Sequence, residues 1–290
     1  MLIINNQRSL EEICKKLAHT RILSVDTEFL RRNTYFAHLS IVQIITDNHQ
    51  IIIDILEVPD LTPLKNILLD NQILKILHAP KQDFEIFYRL FNELPQNIFD
   101  TQIAANICGL GSSLSYSELC KKICHITIDK THQTANWLKR PISQDMLNYA
   151  IMDVKYLEPI YNHLYQIMLG KNLLNEYQTK INSLLDIKNY IINFQNAWQK
   201  IKVRDRSKNF IDKIQVLAAF REEYAKQNDL PRQHLITDKD LLKICNYLPT
   251  TNKELDSLNL SSKQITRAKY KSKLFELCQG LNEKEISQTI

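Results

Sequence analysis

Four carboxylates and a tyrosine occur in three short segments of this 290-residue chain, and each segment has a different local pattern. They are Asp26 and Glu28 after an apolar run, Asp83 near the start of a helix-like stretch, and Tyr149 with Asp153 on a helix face. Carboxylate oxygens that come together from different local structures are ligands that magnesium and manganese prefer. The three segments therefore predict a divalent-metal site of the kind that serves phosphoryl transfer.

The first segment reads as a buried strand, residues 21–25, that runs into Asp26 and Glu28. Alternate side chains of a strand lie on the same face, so the two carboxylates are expected to point the same way. Their mutual repulsion would fall if a cation lay between them. A solvated strand end with two acids by chance remains an alternative, because Asp-x-Glu is common on its own.

The second segment follows another strand-like run, residues 73–77. Pro80 suits the first turn of a helix because it lacks an N–H that would be unpaired there. That helix continues along one apolar face with Phe84, Phe87, Tyr88 and Phe91. Asp83 is expected in its first turn, facing the carboxyl end of the strand. The alternative is that Asp83 only complements the helix dipole.

The third segment begins at Ser143, a good N-cap. One side of the predicted helix is formed by Met146, Tyr149, Ala150, Asp153, Val154 and Leu157. Tyr149 and Asp153 are four residues apart and are therefore neighbours on the helix surface. A carboxylate on an apolar, core-facing stripe is costly to bury unless it is paired or binds metal. A structural hydrogen bond between Tyr149 and Asp153 is the alternative to a metal site.

Taken together, the three segments resemble in order and spacing the DEDD superfamily of 3′→5′ exonucleases, in the subgroup with a tyrosine in the third motif. Further stretches resemble the ribonuclease D family, namely residues 25–35 (VDTEFLRRNTY), 100–102 (DTQ) and 137–141 (WLKRP). The resemblance covers most of the chain. It implies an α/β fold with a ribonuclease H-like mixed sheet and flanking helices.

The resemblance also implies a function, that of an exoribonuclease releasing nucleoside 5′-monophosphates. Its expected partner is RNA, such as tRNA precursors with 3′ ends to trim. Its expected cofactors are two divalent metal ions, Mg²⁺ or Mn²⁺, about 4 Å apart. By the same resemblance, Asp26 bridges both ions, and Glu28 and Asp153 complete the first site. Asp83 would hold the second ion through water, and Tyr149 would orient or deprotonate the attacking water.

The C-terminal part of the sequence has a different, helical pattern. Residues 210–285 resemble an HRDC domain, a small helical module, and the chain has room for one of them. We therefore expect an exonuclease domain at residues 1–170, a helical linker at 171–209 and an all-α HRDC domain at 210–289.

Charge is unevenly distributed along the chain. Residues 1–169 have a formal net charge of −2 and residues 170–290 one of +7, which together give +5. Two basic runs are predicted to contact RNA phosphates, namely Lys200, Lys202, Arg204 and Arg206, and Lys263, Arg267, Lys269 and Lys271. Solvated surfaces without a ligand are the alternative for both runs.

Other features of the sequence limit the class of protein. No apolar run has the length of a membrane span, and the charged residues among the first 20 are unlike a secretory signal. The six cysteines lack zinc-type spacing, and we interpret Cys120 and Cys124 as core residues. Reduced thiols indicate a cytoplasmic protein, which we expect to be a monomer.

Two other functions stay open at this point. A DNA 3′→5′ exonuclease of the proofreading or Werner type would use the same chemistry, because preference for RNA depends on contacts to the 2′-OH that no motif reveals. A catalytically silent nucleic-acid-binding scaffold would use the same fold and the HRDC module. The scaffold should have lost one of the five site residues, and all five are present.

Overall fold

The computed structural model describes residues 1–262 and 268–289 and divides the chain into two units. The first unit comprises Met1–Leu30 and Ala37–Ile191. The second comprises Arg31–Phe36 and the chain from Ile192 onward. The first unit is α/β and the second is helical among its described residues.

A six-stranded mixed sheet forms the centre of the first unit. Its strands are β1 (Leu2–Ile4), β2 (Ile22–Leu30), β3 (His38–Ile45), β4 (Gln50–Asp54), β5 (Leu74–Leu77) and β6 (Ile98–Asp100). The strand order is β1-β4-β3-β2-β5-β6. β3 is antiparallel to β2 and β4, whereas the pairs β1–β4, β2–β5 and β5–β6 are parallel. The predicted mixed sheet is confirmed.

Helices cover both faces of this sheet. They are α1 (Gln7–Leu17), α2 (Thr62–Leu69), α3 (Lys81–Phe91), α4 (Thr101–Ile107), α5 (Tyr116–Leu119), α6 (Gln144–Lys155), α7 (Leu157–Gly170) and α8 (Leu174–Leu184). Leu23 and Val25 of β2 are fully buried in the larger core, on one face. On the other face Ile41 and Ile52 pack with Trp137 and with α6. Each such large apolar side chain contributes roughly 1.5–3 kcal/mol by leaving water.

The predicted strands and helices of the first unit agree with the structure within a few residues, with two kinds of difference. The sequence interpretation missed the helix α1. It also missed the short strands β1 and β6, because a three-residue strand has too few positions to show alternation. It also continued the third-segment helix through Leu157, whereas α6 ends at Lys155. Pro159 contributes to this break because it cannot donate to the carbonyl four residues before it.

The second unit has a small core of its own. Its helices are α9 (Lys208–Gln227), α10 (Arg232–Leu235), α11 (Asp238–Tyr247), α12 (Asn252–Ser257) and α13 (Ala268–Thr289). Tyr35 is buried in this core, and its hydroxyl donates to Glu222 Oε1 at 2.7 Å. The N–H groups of Tyr35 and Phe36 both donate to Asp229 Oδ1, at 3.0 and 3.3 Å. A segment from early in the chain therefore completes the helical unit.

The stretch 171–209, which the sequence suggests as a linker, is divided between the two units. Its first part, through Ile191, packs in the first unit, where the Tyr177 hydroxyl accepts the N–H of Asp100 at 2.8 Å.

Among the described residues, no helix is both long and apolar enough to cross a membrane. Cys120 lies buried on a short π-helical turn that ends at Cys124, which supports a core role for it.

Candidate active site

Strand β2 carries the first two acids. Its pairing with β3 sets Asp26 opposite Gln43 and Glu28 opposite Ile41, so both acids face the side of the sheet that α6 covers. Gln43 is fully buried, and its Nε2 donates to Asp26 Oδ2 at 3.4 Å. Thr27, between the two acids, points to the opposite side of the strand.

Asp83 lies in the first turn of α3, as the sequence predicts. The chain reaches this helix from the end of β5 through Ala79, whose N–H donates to Asp100 Oδ1 at 3.0 Å. Asp83 is only 7% exposed, and the Thr27 hydroxyl donates a hydrogen bond to its Oδ1. β2 therefore holds the second acidic segment from its other face, through a residue that the sequence interpretation did not single out.

Helix α6 brings Tyr149 and Asp153 to the face of the sheet that carries Asp26 and Glu28. Ser143 caps it, with its hydroxyl accepting the N–H of Met146 at 3.3 Å. The Tyr149 ring lies 6.1 Å, centroid to centroid, from the buried ring of Trp137. This tyrosine is therefore packed on one side and can present its hydroxyl toward Asp153 on the other.

Residues 137–141 support α6 from below. Arg140 makes a two-point ion pair with Asp54, with nitrogen–oxygen distances of 2.6 and 2.7 Å. Its Nη1 also donates to the carbonyl of Trp137 at 2.7 Å, and Ser40 Oγ donates to the same carbonyl. These bonds fix the backbone at Trp137, whose buried ring packs against that of Tyr149, so this motif is structural support for the site.

Three of the four predicted metal ligands come together. One carboxylate oxygen from each of Asp26, Glu28 and Asp153 lies within 4.8 Å of the other two. Asp83 is outside this group, although its charge acts on Asp26. Three hard oxygen donors at this spacing, all partly buried, fit a divalent cation of the magnesium type.

The electrostatics of these acids fit a cation as well. Burial, followed by the charges of Asp83, Glu28 and Asp153, raises the pKa of Asp26 well above its ordinary value. Burial and the charges of Asp153 and Asp83 raise the pKa of Glu28 to about 9. Burial raises the pKa of Asp83 and of Asp153 to about 6 each. The ionised site is therefore unfavourable without a positive charge among these oxygens.

The pKa of Tyr149 is raised as well. Burial, followed by the charge of Asp153 and a hydrogen bond to it, raises the pKa of the Tyr149 hydroxyl. The hydroxyl is therefore protonated at neutral pH and acts as a hydrogen-bond donor. The alternative from the sequence, a Tyr149–Asp153 hydrogen bond, and a role in the site are compatible.

A cavity of about 310 Å³ opens beside these residues. Asp26, Tyr149 and Asp153 line it together with polar residues that the sequence interpretation did not assign to the site. Two of these, His78 and Gln102, lie in stretches that resemble the family, and the others are Ser115, Tyr116, Ser117, Lys130 and Gln133. Lys130 is close enough to Asp153 for its charge to lower the pKa of that carboxyl, against the larger effect of burial. Lys130 and Gln133 lie in an irregular stretch, so no periodic pattern marks them.

Comparison with known proteins decides the family. A family model for 3′-5′ exonucleases matches residues 1–169, and a model for the HRDC domain matches residues 212–278. The ribonuclease D of Jannaschia sp. (strain CCS1) is 34% identical over 89% of this chain and 68% of that protein. The chain belongs to the ribonuclease D family.

Other members of the family agree. The ribonuclease D of Sphingobium indicum is 32% identical over 87% of this chain and 66% of its own length, so the chain spans about two thirds of these relatives. The crystal structure of Escherichia coli RNase D, described as an exoribonuclease involved in structured RNA processing, superposes with a TM-score of 0.86. It is 30% identical over 97% of this chain and 74% of that one.

These relatives favour one of the functions left open by the sequence. As a member of the ribonuclease D family, the chain is a 3′→5′ exoribonuclease and acts on RNA. The DNA exonuclease and the silent scaffold are accordingly disfavoured. The predicted family, fold and enzyme class are confirmed.

The basic residues predicted to contact RNA are in the second unit. Lys200, Lys202, Arg204 and Arg206 are exposed, and they alternate with buried Ile201 and Val203 in the segment that precedes α9. Lys271 Nζ donates to Asn252 Oδ1 at 3.0 Å. Lys263 and Arg267 lie outside the described residues, as does the side chain of Lys269. The first run thus presents its charges on one side of an anchored segment.

Proposed function

We propose that this enzyme removes nucleotides one at a time from RNA 3′ ends by two-metal hydrolysis and releases nucleoside 5′-monophosphates. Asp26, Glu28, Asp83 and Asp153 would hold the two divalent ions, Mg²⁺ or Mn²⁺. The observation that carries this proposal is the grouping of three carboxylates within 4.8 Å beside an open cavity. When bound, such ions stabilise developing negative charge and promote ionisation of water near pH 7.

The chain's own side chains prepare the site in distinct ways. Gln43 donates to Asp26 and Thr27 donates to Asp83, so these acids keep a defined orientation. Tyr149 would orient the attacking water by donating a hydrogen bond. Its raised pKa argues against a role as the base that deprotonates that water.

The natural substrates would be structured RNAs such as tRNA precursors, bound by the basic residues of the second unit. The exposed lysine and arginine side chains at 200–206, in a segment anchored by buried Ile201 and Val203, can neutralise phosphates without recognising the nucleotide sequence. The Escherichia coli relative, described as acting in structured RNA processing, supports this choice. We further propose that residues 1–170 and 210–289 correspond in sequence to the exonuclease and HRDC domains of the family, with 171–209 as the stretch that connects them, and that the protein is monomeric and cytoplasmic.

Activity is tested with matched RNA and DNA oligonucleotides whose degradation is followed with Mg²⁺, Mn²⁺ or chelator. We expect stepwise shortening of RNA from its 3′ end, mononucleotide products and no activity with chelator. Asp26→Asn should reduce turnover to background. Asp145→Asn, an exposed acid in the first turn of α6, is the matched control and should keep full activity. Wild-type-like turnover of Asp26→Asn would exclude the proposed site.

RNA binding is tested with point variants, because Arg31–Phe36 belongs to the second unit and truncation would leave that unit incomplete. The variant with Lys202→Glu, Arg204→Glu and Arg206→Glu should bind a tRNA-like RNA more weakly. Each lost phosphate contact should flatten the slope of log affinity against log salt by about 0.7–0.9.

The matched control is the triple variant with Lys15→Glu, Lys16→Glu and Lys180→Glu, exposed lysines of the first unit. It introduces the same change in net charge at other places. Cleavage of a short oligonucleotide should be unaffected in both triple variants. Equal affinities and equal salt slopes for the two would show that the segment at 200–206 does not hold RNA.

A further inference from the structure

The backbone of the helix that carries Asp153 is opened by a side chain from another helix. In an uninterrupted α-helix, the N–H of Tyr156 would donate to the carbonyl of Met152, four residues before it. Here the Tyr156 N–H donates to the hydroxyl oxygen of Tyr116 at 3.0 Å and also to the Val154 carbonyl, and the Tyr116 hydroxyl donates to the Met152 carbonyl at 2.9 Å. The hydroxyl is thus inserted into the helical hydrogen-bond ladder, which is a known cause of helix kinks.

The opened turn contains Asp153 and coincides with the break between α6 and α7. Tyr156, the residue between these helices, has φ −108° and ψ 8°, outside the helical range. Pro159 prevents one further helical bond, but it leaves the bond between Met152 and Tyr156 possible. The proline therefore does not account for the opening of residues 152–156, whereas the inserted hydroxyl does.

Tyr116 is itself held firmly in place. It is the first residue of α5, whose start is fixed by a reciprocal capping box between Ser115 and Glu118. Its ring meets the ring of His78 edge-on, with centroids 6.0 Å apart, and His78 Nδ1 is hydrogen-bonded to Thr101 Oγ1 at 2.9 Å. A rigidly supported hydroxyl can impose a position on the backbone that it contacts.

We propose that Tyr116 is a positioning residue of this active site. Its hydroxyl holds residues 152–156 open and so sets the direction in which Asp153 presents its carboxylate to Asp26 and Glu28. The inference rests on the proposed metal-dependent activity, although Tyr116 is not among the proposed ligands.

The test is Tyr116→Phe, which keeps the ring and removes the hydroxyl. The Tyr156 N–H can then donate to the Met152 carbonyl, which closes the turn and moves Asp153. We expect kcat on a short RNA to fall at least about tenfold with little change in KM, because a displacement of about 1 Å can cost 10²-fold in rate. The midpoint of a Mn²⁺ titration, followed by calorimetry without RNA, should shift to higher concentration.

The matched control is Tyr190→Phe, which removes a hydroxyl that donates to the Leu184 carbonyl at 2.8 Å in the same unit. This variant loses the same kind of bond and should keep the wild-type kcat and Mn²⁺ midpoint. Unchanged kcat and midpoint in Tyr116→Phe would overturn the proposal. Equal losses in both variants would also overturn it, because they would report general destabilisation.

A second variant separates the hydroxyl from the proline. Pro159→Ala restores a backbone N–H while Tyr116 stays in place, so it should keep the wild-type kcat and metal affinity. A loss as large as that of Tyr116→Phe would assign the open turn to the proline and overturn the role of Tyr116. If the wild-type enzyme itself fails to degrade RNA, the proposed function fails, and the Mn²⁺ midpoints still decide the role of Tyr116.

Discussion

Replacing Asp153 by asparagine should stabilise the metal-free protein while abolishing its activity. The pKa of this carboxyl is about 6 in the folded protein, against an ordinary value of 3.8, and burial is the main cause. A difference of about two pKa units corresponds to about 3 kcal/mol of unfavourable free energy when the group is ionised. The amide of the variant would retain an acceptor for the Tyr149 hydroxyl and remove the charge.

The sign of this effect depends on pH in a defined way. Well below pH 3.8 the carboxyl is protonated in both the folded and the unfolded state, and it imposes no penalty on folding. As pH rises from about 4 through 6, the unfolded chain ionises first, so the wild-type protein loses stability. The stability gained by Asp153→Asn should therefore be near zero at about pH 3, stay below about 1 kcal/mol at about pH 4 and reach about 3 kcal/mol at about pH 7–8.

The measurement is urea unfolding of wild type and Asp153→Asn at several pH values, with chelator present. Asp145→Asn is the control on the same helix and should bring no gain, because an exposed acid in the first turn favours the helix dipole. Saturating Mg²⁺ should reverse the order, since it stabilises the form that binds it. No gain near pH 8, or an equal gain near pH 4, would refute the reasoning.

Three further predictions concern single hydroxyl groups. Tyr149→Phe should lower kcat by roughly 10²-fold, the lower end of the range for side chains that take part in proton transfer. An unchanged kcat would show that Tyr149 only packs. Thr27→Val removes the hydroxyl that donates to the buried carboxylate of Asp83, so it should raise the pKa of Asp83 further and lower the free energy of unfolding by about 1.5–3 kcal/mol above about pH 6. An equal loss near pH 4 would contradict this reasoning. Tyr35→Phe should lower the stability of the second unit by a similar amount, because Glu222 is buried, and calorimetry showing no shift would contradict the importance of that bond.

The sequence predicted those parts of the site that depend on local geometry. Asp26 and Glu28 share a face because strand side chains alternate, and Tyr149 and Asp153 are adjacent because helix residues four apart are neighbours. Relations between segments distant in sequence gave no such signal. The bond from Thr27 to Asp83 joins a strand to a helix, and the insertion of Tyr116 depends on how α5 packs against α6.

The same distinction holds for the fold. The apolar runs at residues 21–25 and 73–77 were predicted as strands, and β2 and β5 begin close to those positions, because buried strands leave a continuous apolar signature. The bounds of the units were beyond reach of the sequence pattern. Nothing in the composition of residues 31–36 indicates that Tyr35 would be buried among helices formed some 190 residues later.

Because Tyr35 is buried in the helical unit, residues 192–290 alone do not contain the whole of that unit. A cut anywhere between the units of this chain would separate the module from a piece of its own interior. Residues 192–290 alone would expose the apolar site that the Tyr35 ring fills and leave Glu222 and Asp229 without the donors that Arg31–Phe36 supplies. Exchange of this module between proteins would therefore require that the connection after β2 be exchanged with it.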